Sequence, residues 1–118
     1  MNWYTAKIIF QITCGDGNHQ PQFDEQLRLI NANNKQEALH KARTIGISEE
    51  ESFLNNSGEL VRWTFIALTE LIEIQELKDG VEFFSKIEEP ENTAHYINSI
   101  QCKEQDIENK INCIPVVY

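Results

Sequence analysis

Trp3-Tyr-Thr-Ala-Lys-Ile-Ile-Phe-Gln-Ile-Thr13 decides the fold class, because its side chains alternate between two faces. Tyr4, Ala6, Ile8, Phe10 and Ile12 share one face; Trp3, Thr5, Lys7, Ile9 and Gln11 share the other. A period of two in β-branched and aromatic residues reads as a half-buried strand. Cys14-Gly-Asp-Gly-Asn-His-Gln-Pro21 follows, dense in residues that favour turns. Strand character resumes over 22–32, with Phe23, Leu27 and Leu29 in one phase. Two strands around one such loop predict an antiparallel hairpin.

Working outward, Asn33-Asn34 with Glu37 predicts a helix start closed by a capping box. Ala38, Leu39, Ala42 and Ile45 recur at three and four, and Gly46 is read as the stop. Ser48-x-x-Glu51 repeats the capping pattern and suggests a further helical turn within 48–55, before Asn56-Ser-Gly58 breaks the chain. Residues 59–77 carry Val61, Trp63, Phe65 and Ala67 in one phase, with Ile72 and Ile74 beyond Thr69-Glu70. That pattern fits one bent, bulged strand or two strands at a corner. Lys78-Asp-Gly80 predicts a hairpin turn into a strand through Val81, Phe83, Ser85 and Ile87. Pro90 suits the entry to a polar C-terminal helix over 91–112, whose Ile97, Ile100, Ile107 and Ile111 form a narrow stripe. The tail Ile114-Pro-Val-Val-Tyr118 is apolar and reads as extended.

The sum is an α+β domain. It has an antiparallel twisted sheet of four or five strands in the order β-β-α-β-β-(β)-α, one helix on a face of the sheet, and a C-terminal helix. Residues 1–89 form the core domain; residues 90–118 are either part of it or an interaction arm. At 118 residues with 41% hydrophobic and 25% charged side chains, the chain can bury a core without disulfides or metal. The net charge of −9, from 19 acidic and 10 basic residues, opposes binding to phosphate backbones or anionic membranes. It serves solubility, or attracts a basic protein partner. Cys14, Cys102 and Cys113 are an odd set without C-x-x-C spacing, which argues against a disulfide framework. The first residues lack the pattern of a signal peptide, and no apolar run approaches the roughly 20 residues a membrane span needs. A cytoplasmic location is expected.

Trp3-Tyr4 with Lys7, Phe23-Asp-Glu25 leading into Leu27-x-Leu29-Ile30, Ala32 before Glu37-Ala38, Val61-x-Trp63-x-Phe65, and Asp79-Gly80-x-Glu82 with Ser85 stand in a set order. In that order they resemble a small family of uncharacterised prokaryotic proteins, domain of unknown function 4288, over about residues 3–88. The resemblance implies an α+β fold and brings no catalytic residue with it. The loop at 14–21 is elaborated relative to the family pattern, and the chain beyond Glu89 lies outside it.

Cys14, Asp16 and His19 fall within six positions. A thiol with an imidazole base and a carboxylate orienter is the composition of an activated nucleophile. The same residues also suit a turn, and catalytic groups usually converge from distant segments. Glu25 shares its phase with Phe23, Leu27 and Leu29, so regular pairing sets its carboxylate on an apolar face, with Lys7 or Arg62 as partner. Such a group is a general acid or base, or half of a structural ion pair. Trp63 reads as core; Trp3 is open to a binding role. His95, Cys102, Cys113 and His40 lack zinc-ligand spacing, so neither a metal nor another cofactor is expected. Gly15-Asp-Gly17 lacks the Lys-Ser/Thr of a phosphate loop.

These residues favour a non-enzymatic binding or interaction module. Its partner is another protein or a second copy met through Ile97, Ile100, Ile107 and Ile111. Two alternatives stand beside it: a small hydrolase or transferase using Cys14 and His19 or Glu25 near the first hairpin, and a small-ligand-binding protein.

Overall fold

The computed structural model describes residues 1–113. Strands β1 (Asn2–Cys14), β2 (Gln22–Ala32), β3 (Glu51–Leu54) and β4 (Leu60–Ile74) and helices α1 (Lys35–Ser48) and α2 (Thr93–Asn112) follow the order β-β-α-β-β-α. The α+β class therefore stands. The sheet runs β2-β1-β4-β3, with every neighbouring pair antiparallel. β1 is central, paired with β2 along one edge and β4 along the other.

One face of β1 makes the core. Tyr4, Ala6, Ile8 and Phe10 are buried there, joined by Ile30 and Ala32 of β2 and by Ala38 and Ala42 of α1. Alanines at the contact let the helix approach the sheet closely. Each large apolar side chain so buried contributes roughly 1.5–3 kcal/mol. Asn34 caps α1 as its position suggests, accepting the Glu37 N–H at 2.8 Å. Glu37 in turn accepts from the Asn33 amide, and Lys41 donates to the Asn31 carbonyl at 2.7 Å, fastening the helix start to the end of β2.

Three expectations change, and one alternative is decided. Gly46 does not stop α1, which continues to Ser48. It is glycine because its backbone lies against Phe65, where a Cβ would come within 2.6 Å of the ring. The segment 48–55 holds strand β3 rather than a helical turn. The Asn55 carboxamide accepts from Ser57 N and Glu59 N, and Gly58 adopts φ +78°, so the stretch seen as a break is the turn of a β3–β4 hairpin. Residues 60–74 form one strand with two register shifts, at Ile66 and Thr69, which is the bulged alternative. Val81–Ile87 is not a strand. The turn at Lys78 does close, Val81 N donating to Lys78 O at 3.2 Å. Instead of laddering along β4, the returning chain sets the Phe84 ring 5.8 Å from Lys7 Nζ of β1.

The chain divides into two units, Met1–Ser85 and the part from Lys86 onward. In the second, α2 starts at Asn92, whose side chain accepts the His95 N–H at 2.9 Å. Ile97, Ile100, Ile107 and Ile111 of α2 are exposed. The apolar tail from Ile114 lies outside the described residues.

Candidate functional site

The loop after β1 is built by its own polar groups. The Cys14 N–H donates to His19 Nε2 at 2.9 Å, and His19 Nδ1 meets the Gln20 carbonyl at 2.8 Å. A backbone N–H can only donate, so Nε2 is the accepting nitrogen and Nδ1 the one that faces the Gln20 carbonyl. Asp16 accepts from Asn18 N at 2.9 Å, shaping the turn. The Cys14 thiol is half-buried and receives the Asn55 amide of the neighbouring hairpin at 3.5 Å. Cys14, Asp16 and His19 thus share a loop, with imidazole and carboxylate each engaged by backbone.

Strand β2 places its residues by register. Asp24, Gln26, Arg28 and Ile30 stand opposite Phe10, Ile8, Ala6 and Tyr4, on the helix side. Phe23, Glu25, Leu27 and Leu29 stand opposite Gln11, Ile9, Lys7 and Thr5, on the other side. The apolar phase of β2 is therefore the outward one, and Glu25 is exposed with it. Lys7 pairs with Glu70 of β4 rather than with Glu25, at 3.6 Å. That Glu70 oxygen is shielded from water and takes no hydrogen bond among the described residues, with the Lys7 ammonium as its charge partner. Arg62 is exposed on the same side, opposite Thr13 and Ser52. Trp63 lies on the helix side, half-buried, stacked on Phe53 at 6.0 Å between centroids, with Nε1 3.4 Å from Asp24. Trp3 sits at the margin of the side away from α1, opposite Ile74.

A polar chain absent from the sequence reading runs along the helix side of β2. Gln26 donates to Asp24 at 2.6 Å, and Arg28 donates to Gln26 at 2.6 and 3.0 Å. Arg28 also clamps Glu49, just past α1, through two bonds of 2.6 and 3.1 Å. This ties helix to sheet where apolar packing ends. Only the pairing of β2 with the buried face of β1 reveals it; spacing along β2 points the other way.

On the side of the sheet away from α1, Thr5 and Ile74 are buried and Phe84 lies over Lys7, while β2 keeps a row of exposed apolar side chains. Phe23, Leu27 and Leu29 remain 55%, 52% and 53% exposed. Leu27 and Leu29 stand opposite Lys7 and Thr5 of β1, and Thr5 is itself buried, so the exposed apolar row belongs to β2. A groove of about 490 Å³ lies where α1 meets β4, lined by Lys35, Leu39, Leu68 and Glu70 among others. Among the described residues no three His, Cys, Asp or Glu side chains gather where they would hold a metal ion. No helix among them is long and apolar enough to cross a membrane.

No curated protein and no solved structure matches the chain. The model of one family, Domain of unknown function (DUF4288), matches residues 3–85. That match spans the sheet, α1 and the segment carrying Phe84, and the chain belongs to the DUF4288 family.

Proposed function

We propose that this protein is a non-enzymatic interaction module that docks another protein on the outward row of strand β2. One observation carries the reading: a row of large apolar side chains, Phe23, Leu27 and Leu29, faces away from the core on a regular strand. Contiguous exposed apolar surface is costly in water and marks a site of association. Rigid strands present it without further ordering, which favours binding. The polar groups of the first loop support the same reading, since His19 and Asp16 are already bonded to their own backbone.

Comparative capture from a cell extract tests the proposal, with the wild-type chain and a Leu27→Glu/Leu29→Glu chain as baits. The reading expects proteins retained by the wild type to be lost from the double variant and kept by His40→Glu, whose change lies on exposed α1 surface. Identical retention by all three chains refutes it.

A further inference from the structure

We infer that β2 is a strand-pairing edge, whose partner is β2 of a second copy, antiparallel to it about a two-fold axis at Gln26. The inference rests on the interaction reading above and names its partner. β2 stands at the end of the sheet and pairs with β1 along one edge only. Natural proteins blunt such edges with short strands, proline, lysine or bulges, because unpaired N–H and C=O groups recruit another strand. The opposite end of the sheet is blunted: β3 has four residues, and β4 beside it carries two register shifts. β2 has eleven residues with no proline, no lysine and no shift in its register against β1.

The sequence of the strand chooses the partner. Phe23-Asp-Glu-Gln-Leu-Arg-Leu29 is complementary to itself when reversed about Gln26. An axis there sets Phe23 opposite Leu29 of the second copy, Asp24 opposite Arg28, and Glu25 opposite Leu27. The two-fold makes each pair occur twice. Residues directly opposite in an antiparallel pair share a face and lie within side-chain reach. On the helix side the facing charges are therefore of opposite sign. Gln26 already holds both Asp24 and Arg28 in line along the strand. On the other side Phe23, Leu27 and Leu29 of both copies join into one apolar strip, which accounts for their exposure of 55%, 52% and 53%. The covered face at Thr5 and Ile74 takes no part. An axis at Glu25 would set two carboxylates face to face, and one at Leu27 would leave Asp24 opposite Ile30. Only the axis at Gln26 sets Asp24 opposite Arg28.

The acidic excess of the chain, Glu82 of the Phe84 segment included, opposes association at long range. Salt at about 0.15 M screens that repulsion beyond roughly 8 Å. Sedimentation velocity of the full chain in such salt, at micromolar concentrations, tests the inference. The expected result is a reversible wild-type dimer, unchanged by His40→Glu. Asp24→Arg and Arg28→Asp should each weaken it by about tenfold or more, since each sets like charges opposite. An equimolar mixture of the two variants should regain it, because opposite charges then face each other again. A wild-type chain that stays monomeric overturns the inference. So does a dimer indifferent to both variants, or a mixture of folded variants that stays monomeric. Arg28 also holds Glu49, so a crosslink decides where a charge variant fails to fold. With Cys14, Cys102 and Cys113 replaced by serine, Gln26→Cys should form a disulfide dimer on oxidation and Gln22→Cys should not. Crosslinking at both positions alike, at 22 alone or at neither overturns it. A wild-type monomer that still loses captured proteins on Leu27→Glu/Leu29→Glu overturns the second copy and spares the interaction reading. A monomer whose capture is unaltered sinks both.

Discussion

Leu29 and Ile30 are neighbours in β2, yet Ile30 keeps 1% of its surface exposed and Leu29 keeps 53%. Their separation follows from the pleat, which sends consecutive side chains to opposite faces. Ile30→Ala should therefore cost about 2–5 kcal/mol of folding stability. Leu29→Ala should cost far less, within about 1 kcal/mol. Urea titrations of the two variants compare them directly. Equal losses would mean that the two faces of β2 are assigned wrongly.

Gly46 offers a test whose sign runs against helix propensity. Replacing glycine by alanine inside a helix normally stabilises by up to ~1 kcal/mol. Here the new methyl would press on Phe65, whose ring is held edge-on against Phe10 at 6.1 Å. Gly46→Ala should destabilise by about 1–3 kcal/mol. Gly46→Ala combined with Phe65→Leu should recover part of the loss. A stabilised Gly46→Ala chain would contradict the packing described.

The Arg28–Glu49 clamp is partly solvated, so its contribution is modest. Arg28→Ala should lower stability by about 1 kcal/mol, shifting the melting temperature by roughly 4–8 °C for a domain near this size. Because Arg28 also holds Gln26, Glu49→Ala should cost less than Arg28→Ala. Thermal melts of both settle the order, and the reverse order would refute the network.

Thiol chemistry separates a turn from a nucleophile. Cys14 is half-buried, whereas Cys102 and Cys113 are exposed. Alkylation at neutral pH, followed residue by residue by mass spectrometry, should modify Cys14 slowest of the three. A Cys14 that reacts first would revive the activated-thiol alternative.

How much of this was legible beforehand differs by residue. The alternation of 3–13 marked β1 and its buried face, and Asn34 with Glu37 marked the start of α1, because both signals are local. Gly46 misled because a glycine demanded by a neighbour looks the same in sequence as one demanded by a turn. Asn56-Ser-Gly58 was seen as a break, but the strand before it, only four residues long, was too short for a period to show. Lys78-Asp-Gly80 did make its turn, yet a turn does not oblige the next segment to pair. For the site, Phe23, Leu27 and Leu29 were recognised as one row with Glu25 among them. Which side that row faces is a tertiary fact: the register of β2 against β1 sets Asp24, Gln26 and Arg28 on the helix side, where Arg28 meets Glu49.

Photo-crosslinking inside cells tests the central claim most directly, with a photoreactive phenylalanine placed at Phe23 in one chain and at His40 in another. The account predicts an intermolecular protein adduct from position 23 and none from position 40, both chains folding alike by circular dichroism. Adducts from position 40 alone, or from neither position, would contradict it.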